Sequence, residues 1–373
     1  MRDEPQATRI PASRPALRPP GRYASHDVKR WVEGVLSALG FSEADAAYLA
    51  DTLLDANLRG IDSHGVMRLP VYAQRIRSGL VRPDATPAIR RDGAVIHVDA
   101  ASAAGQLATR AALEAVADVA AVEGVACAVV RGSAHFGTAG YYARWLATRS
   151  CIGIVVSNSE SIVVPHGGSD AVLGTNPVAF AAPREERPIS LDMATSASAM
   201  GRVMIAGARG DAIPLGWGVD GAGVPTTVPA DVHALLPLGG AKGYGLSVLV
   251  EVLAGVLSGA AIAGGIGNMY RDHDRPQDVG HFLLALHVPH FLPSEAFANR
   301  IEHLATQLIA SRPAPGFDEV MLPGEPEERA KEEREREGIP VEDATRAELD
   351  LLGATVGLPF PAAMGPDAEV RES

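Results

Sequence analysis

Apolar positions first fall into register at Val28, Trp31, Val32, Val35 and Leu36, one stripe of a helix that Ser25 is read as capping. A second helix is predicted from Ser42, whose side chain suits an N-cap, to Leu58, with Gly60 as its stop. Ser63 is read as the cap of a third helix, which continues through Leu69–Ser78. Beyond Gly105 the pattern alternates between periods. Helices over Gln106–Val122 and Gly137–Thr148 precede strands at Ala126–Val130 and Ile152–Val156, after an earlier strand at Val95–Val98. Further strands are predicted at Val178–Ala182, Ile189–Leu191 and Phe282–His287. Helices are predicted at Gly243–Leu257, Pro293–Ser311 and Val341–Leu352. The Pro- and Arg-rich start, through residue 24, reads as a flexible tail, and a second loose tail follows the last helix. Between them, helical segments from both ends flank an α/β middle.

Length and composition narrow the class. The 373 residues, 47% hydrophobic and 21% charged, suit an ordinary globular chain with more than one packed layer. A net charge of −12 disfavours nucleic acid and anionic membranes as partners. The longest apolar run, around Leu246–Ala263, carries Glu251 and several glycines, so a buried helix is expected rather than a membrane span. No secretory signal is visible, and the cytoplasm is the expected compartment. Cys127 and Cys151 lie in apolar runs without metal spacing and read as buried free thiols. The Glu- and Arg-dense run Gly324–Gly338 reads mostly as a solvated helix face.

Chemistry concentrates at Arg59-Gly-Ile-Asp-Ser-His-Gly-Val-Met-Arg-Leu-Pro70. A helix capped by Ser63 would put the His64 imidazole one turn from Arg68, on the same face. An imidazole can move a proton near neutrality, and a planar guanidinium can grip a carboxylate with two bonds. Lys242 lies between Gly240 and Gly243 at a helix start, where the helix dipole disfavours a cation unless an anionic ligand is also held. An α/β chain also invites a search for Gly-x-Gly-x-x-Gly after a strand. The nearest approach, Gly265-Ile-Gly267, follows a helix and is out of context. A metal-dependent hydrolase built on His281, His287 and His290 is the rival class, but neither a His-Glu-x-x-His nor a cysteine pair supports a metal centre. An inactive scaffold is the other rival.

The Arg59–Pro70 stretch resembles the signature of the malate/L-lactate dehydrogenase family, which is distinct from the Rossmann-fold enzymes of similar name. Its relatives include sulfolactate, ureidoglycolate and diketogulonate enzymes and piperideine-2-carboxylate reductases. Four more blocks carry the same likeness, in order: Arg131–Tyr142, Leu173–Phe180, Ile189–Ser196 and Gly240–Leu246. The resemblance spans roughly Val28 to Leu358. It implies a non-Rossmann cofactor domain, residues 99–289, with a mixed, largely antiparallel sheet flanked by helices. A mainly helical substrate and dimerisation domain would come from residues 25–98 and 290–373. It further implies NAD or NADP as cofactor, a homodimer, and interconversion of a small 2-hydroxy acid and its 2-oxo acid. Reduction of a cyclic imino acid is the alternative.

Residue by residue, the resemblance implies Arg68 as the carboxylate clamp and His64 as proton donor, with His135 as competitor. Asp192 would orient His64 and Ser63 would complete the relay, although Asp192 alone reads as a helix cap before Met193. Thr175 and Asn176 would contact substrate. Ser159, Asp192, Met193, Ala194, Thr195, Lys242, Gly243, Gly324 and Glu325 would contact the cofactor. Ala241 stands where the family often has His.

Overall fold

The computed structural model describes residues 20–365. Strand β1 (Gly21–Tyr23) pairs antiparallel with Ile339–Val341 from the far end of the chain. Of the flexible tail expected through residue 24, Gly21–Tyr23 are thus a strand, and residues 1–19 lie outside the described residues. Tyr23 is held because its ring meets Phe360 edge-on and Arg346 donates to its hydroxyl. Helices α1 (Ser25–Ala38), α2 (Glu43–Leu58) and α3 (Leu69–Arg77) pack around one apolar cluster that includes Trp31, Leu36, Leu53 and Leu69. Ser42 caps α2 by accepting the Asp45 N–H, as its position predicts. Ser25 does not cap α1; that position is Ala24.

Next come β2 (Ala88–Asp92), β3 (Val95–Asp99), α4 (Gly105–Glu123), β4 (Val125–Ser133), α5 (Ala139–Thr148), β5 (Cys151–Ser157), β6 (Val178–Ala182) and β7 (Ile189–Met193). After α6 (Met200–Arg209), the short strands β8 (Gly218–Val219), β9 (Pro225–Thr226) and β10 (Ala234–Leu235) form a separate three-stranded sheet. Helix α7 (Ala241–Val250) runs into a π-helical turn over Glu251–Val256. Strand β11 (Val279–His287) then enters the centre of the main sheet, whose order is β2-β3-β4-β11-β5-β6-β7. Only β3 and β4 run parallel, so the sheet is mixed and largely antiparallel. The sheet begins at Ala88, on the helical side of the boundary at residue 99 drawn from the sequence.

One sheet face buries Ile96, Val98, Val130, Val155 and Leu283 under α4 and α5. The other holds Val129, Val156 and Phe282 against Val250 and Ala254. Helices therefore cover both faces, which explains the near-continuous apolar runs of β4, β5 and β11. The chain closes with α8 (Ser294–Ile309), the charged α9 (Glu325–Glu337), β12 (Ile339–Val341) and α10 (Asp343–Val356). The loose tail expected after Leu352 is packed as far as Phe360, which is buried against Tyr23 and Trp31.

Candidate active site

The segment after α2 is not the single helix expected from Ser63. It makes two short 3₁₀ turns, Asp62–His64 and Val66–Arg68, split by an extended Gly65 at φ −88° and ψ −150°. Ser63 caps neither turn. The reason is Asn57, whose amide occupies the space beside Gly65: a Cβ there would lie 2.1 Å from the Asn57 Oδ1. That oxygen accepts the Val66 N–H at 2.8 Å, while the Asn57 Nδ2 donates to Asp62 at 2.7 Å. Arg334 of α9 reaches in to pair with Asp62 at 2.7 Å, and Glu328 of α9 takes the Arg59 guanidinium at 2.8 Å. One side of the charged α9 thus braces the motif, and the rest of the helix is solvated.

This bracing brings His64 and Arg68 together by tertiary contact rather than by helical spacing. Arg68 Nε donates to the Ser63 carbonyl at 2.6 Å, and Ser63 Oγ lies 2.9 Å from His64 Nδ1. Among the described residues the Arg68 Nη groups have no hydrogen-bond partner, and the guanidinium sits 5.6 Å from the Tyr270 ring centroid. His135 arrives from the loop after β4. Its ring stacks on His64 with centroids 5.4 Å apart and planes 27° apart. Close packing fixes that loop, since a Cβ on Gly105 at the start of α4 would lie 2.2 Å from the Ala134 carbonyl. The His135 N–H also donates to Gln277 at 3.1 Å.

Tyr72 completes the group. It stands one turn after Arg68 on the same helical run, and its hydroxyl lies 2.6 Å from His135 Nδ1. The Gly137 N–H points at the same nitrogen from 3.4 Å. A backbone N–H can only donate, so Nδ1 is the acceptor and the neutral imidazole carries its proton on Nε2. Burial, helped by the charge of Arg68, pushes the His64 pKa down to about 3. Burial likewise holds His135 well below the ordinary histidine value, aided by Arg68, His64 and His281. Both rings are therefore neutral at pH 7.

The remaining candidates form two further groups. Ser159, Thr175, Asn176 and Thr195 make one node. Asn176 Oδ1 accepts the Ser159 N–H at 3.1 Å, Thr175 N–H donates to Ser159 Oγ at 3.0 Å, and Thr195 N–H donates to the Thr175 carbonyl at 2.8 Å. Asn176, fully buried, tolerates φ +38° there and donates to Ser247 of α7 at 3.1 Å. The start of α7 joins the node through Leu238, which donates to the Thr195 carbonyl and accepts the Gly243 N–H at 2.8 Å. Gly243 has no room for a side chain, because its Cβ would lie 2.2 Å from the Leu238 carbonyl. Lys242 is exposed beside it.

Asp192 starts no helix of its own and makes no hydrogen bond to His64. It lies in β7 beside Met193, the strand's last residue, with Ala194 just beyond, and its Oδ2 accepts the Gly140 N–H at 2.8 Å from the first turn of α5. Burial raises its pKa to about 6, opposed by that N–H and by Arg144. Asp192 and Ser63 therefore belong to different parts of the site, and only Ser63 touches His64. Gly324, at φ +91°, abuts Ser190 two residues before Asp192, where a Cβ would lie 2.3 Å from the serine Oγ. Glu325 is engaged within its own turn, accepting the Leu322 N–H and pairing with Arg329. Of the rival metal ligands, His281 is buried between Ser157 and Ser133 at 2.9 and 2.8 Å, whereas His287 and His290 meet each other at the surface.

Sequence reasoning missed Tyr72 and Tyr270. Tyr72 had a signal, the four-residue step from Arg68; Tyr270 comes from a loop whose path the pattern does not give.

A family model described as malate/L-lactate dehydrogenase matches residues 23–350. The malate dehydrogenase of Pyrococcus abyssi is 36% identical over 348 residues, covering 90% of this chain and 95% of that protein. An NAD(+) ureidoglycolate dehydrogenase of Escherichia coli is 37% identical over 316 residues, covering 84% and 90%. The solved sulfolactate dehydrogenase of Methanocaldococcus jannaschii superposes with a TM-score of 0.86 at 33% identity, covering 90% of this chain and 98% of that one.

Proposed function

The chain belongs to the malate/L-lactate dehydrogenase family of oxidoreductases, and from that premise we propose that it interconverts a small 2-hydroxy acid and its 2-oxo acid with NAD or NADP. The observation that carries the reading is the convergence of the Arg68 guanidinium, whose Nη groups have no hydrogen-bond partner among the described residues, with two stacked neutral imidazoles. A carboxylate on the Arg68 Nη groups would put the neighbouring carbonyl within reach of those rings. His135, with Nδ1 occupied by Tyr72, can offer only its Nε2 proton and suits polarising the carbonyl oxygen. His64, whose other contact is the adaptable Ser63 hydroxyl, suits carrying the proton to that oxygen.

The cofactor fits the residues at the start of α7. Gly239 and Gly240 take φ +58° and +66°, and a Cβ on Gly239 would meet nothing within 4 Å. The helix begins without a side-chain cap, which leaves the Ala241 and Lys242 N–H groups and the Lys242 charge open to a phosphate. Ser159, Thr195, Gly243 and Gly324 with the Asp192–Ala194 backbone would complete the cradle; Glu325, bound to Arg329, would act on its turn instead. When bound, the nicotinamide would supply or accept the hydride. Thr175 and Asn176 would shape the wall between cofactor and substrate.

We further propose a homodimer in the cytoplasm. Leu246, Leu249, Val252 and Val256 line one exposed apolar face of α7 and its π-helical extension, an arrangement that a second copy would cover. No helix among the described residues is long and apolar enough to cross a membrane.

The test is oxidation of NADH and NADPH with a panel of 2-oxo acids and cyclic imines, using wild type, His64→Asn and His135→Asn. Loss of ~10²–10⁴-fold in kcat is expected for His64→Asn. Turnover by His64→Asn with an unchanged acid limb would move the proton to His135. An absence of turnover on the whole panel would refute the reading.

A further inference from the structure

His281 is a fully buried titratable side chain that the chemistry of Arg68, His64 and His135 leaves unused. It shares a face of β11 with Leu283 and Ala285, which pack in the core under α4 and α5. A third aliphatic residue would fill that position without desolvating two nitrogens. The ring instead bonds a hydroxyl on each side: Nε2 lies 2.8 Å from Ser133 Oγ and Nδ1 lies 2.9 Å from Ser157 Oγ. The Ser157 proton goes to the Asn158 carbonyl at 2.9 Å, so Nδ1–H donates to Ser157 and Nε2 accepts from Ser133. The ring also stacks on Phe136, with centroids 4.4 Å apart and planes 3° apart. Ser133 is the last residue of β4 and Ser157 the last of β5. His135 comes two residues after the first, and Ser159 two residues after the second. One imidazole thus joins the two strand ends that deliver the histidine pair and the Ser159 node.

The start of β11 grips both departing loops. Its register against β4 shifts between Val279 and His281, so Arg131 and Gly132 oppose Gly280 alone, with Gly132 at φ +63°. Asp278 accepts the Gly132 N–H at 3.0 Å and Gln277 accepts the His135 N–H at 3.1 Å. On the β5 side, Asn158 Oδ1 accepts the Gly280 N–H at 2.9 Å.

Resting on the oxidoreductase reading above, we propose that His281 is a positioning residue: by bridging Ser133 and Ser157 it holds His135 and the Ser159 node at a set separation. Reduction of a carbonyl needs its proton at oxygen and its hydride at the adjoining carbon, so the segments that place the two must keep a fixed distance. Without the bridge each segment keeps its own contacts, His135 those to Tyr72 and Gln277, Ser159 those to Thr175 and Asn176. What loosens is the one relative to the other.

The experiment compares His281→Phe, Ser133→Ala and the double variant with wild type. Phenylalanine keeps a ring against Phe136 and removes both hydrogen bonds, whereas Ser133→Ala cuts the β4 half alone and serves if the first variant does not fold. Thermal unfolding checks each protein, and fluorescence titration gives the Kd of NADH and NADPH. Turnover is measured with the best substrate of the panel above and with cofactor deuterated at the transferred position. His281→Phe should lower kcat ~10–100-fold and raise the deuterium isotope effect, while cofactor Kd stays within about threefold. Ser133→Ala should act in the same direction, and the double variant should be no worse than His281→Phe, because both changes break one bond. In the unliganded protein, amide exchange at His135 and Ser159 should quicken in His281→Phe. Wild-type kcat and isotope effect in the folded variants, whatever their melting temperature, overturn the proposal and leave the oxidoreductase reading standing. Losses that add in the double variant also overturn it, as does unchanged amide exchange. A wild type that turns over nothing on the panel overturns both.

Discussion

Removing one oxygen, in Tyr72→Phe, isolates the device that sets the His135 tautomer. In the native site His135 Nδ1 is met by the Tyr72 hydroxyl at 2.6 Å and, more weakly, by the Gly137 N–H at 3.4 Å. Gln106 Nε2 donates weakly toward the same hydroxyl oxygen from 3.5 Å, which leaves the hydroxyl proton to His135. Phenylalanine fills the same volume but leaves a buried acceptor with one long contact. An unsatisfied buried acceptor costs ~1–3 kcal/mol. If the Nε2 proton polarises the substrate carbonyl, the same energy appears in the barrier as a fall of roughly 5–150-fold in kcat. Cofactor affinity should hold, because Tyr72 stands at the histidine pair rather than at the α7 start. The assay is kcat at saturating substrate and cofactor, alongside ¹⁵N shifts of the labelled histidine ring, which report the tautomer directly. Unchanged kcat together with unchanged His135 nitrogen shifts would refute the reasoning.

Arg68→Lys should raise KM for the oxo acid steeply and leave the cofactor Kd alone, since a point charge replaces a planar fork; wild-type reduction of the substrate amide as well as the free acid would sink the clamp. Lys242→Ala should weaken NADH or NADPH binding by ~1–3 kcal/mol, read by fluorescence titration, and equal affinity would remove Lys242 from the cradle. Stability should fall as pH drops from 6.5 toward 3, because His281 stays neutral in the fold down to about 3 and protonates near 6.5 when unfolded. That gap is worth up to ~5 kcal/mol at the acid end. Asp192 acts with the opposite sign: raised to about 6, it contributes below pH 3.8 and its contribution is lost as pH rises through 6. Denaturant unfolding of wild type and His281→Gln across this range should show a shallower acid slope in the variant, and identical slopes would contradict the assignment.

The long periodic segments were legible because their stripes are wide: α1, α2, α4 and the apolar runs of β4, β5 and β11 need only the chain itself. The sheet's pairing was not, since periodicity says nothing about which strand neighbours which; its mixed, largely antiparallel character came from the five-block resemblance. The His64 region misled for a local reason. Ser63 has the composition of a cap, but Asn57, eight residues from Gly65, forces an extended glycine into what would have been the first turn. Asp192 misled in the same way, because its partner Gly140 lies fifty-two residues away. Short-range rules describe caps well and cannot see a bond of that span.

The position of β11 has a consequence for synthesis. This strand, residues 279–287, is the last of the seven to leave the ribosome, yet it sits between β4 and β5 at the middle of the sheet. Until it emerges, those two apolar strands have facing edges with nothing between them, open to wrong partners. The nascent chain cannot lay down the sheet in order from one side and must keep a central slot vacant for over a hundred residues of elongation. Closure of the helical end waits longer still, for Ile339–Val341 to reach Gly21–Tyr23. Truncation anywhere before residue 287 should therefore yield an aggregating chain rather than a smaller folded one, and in the cell the full-length protein should depend on protection during translation more than on protection afterwards.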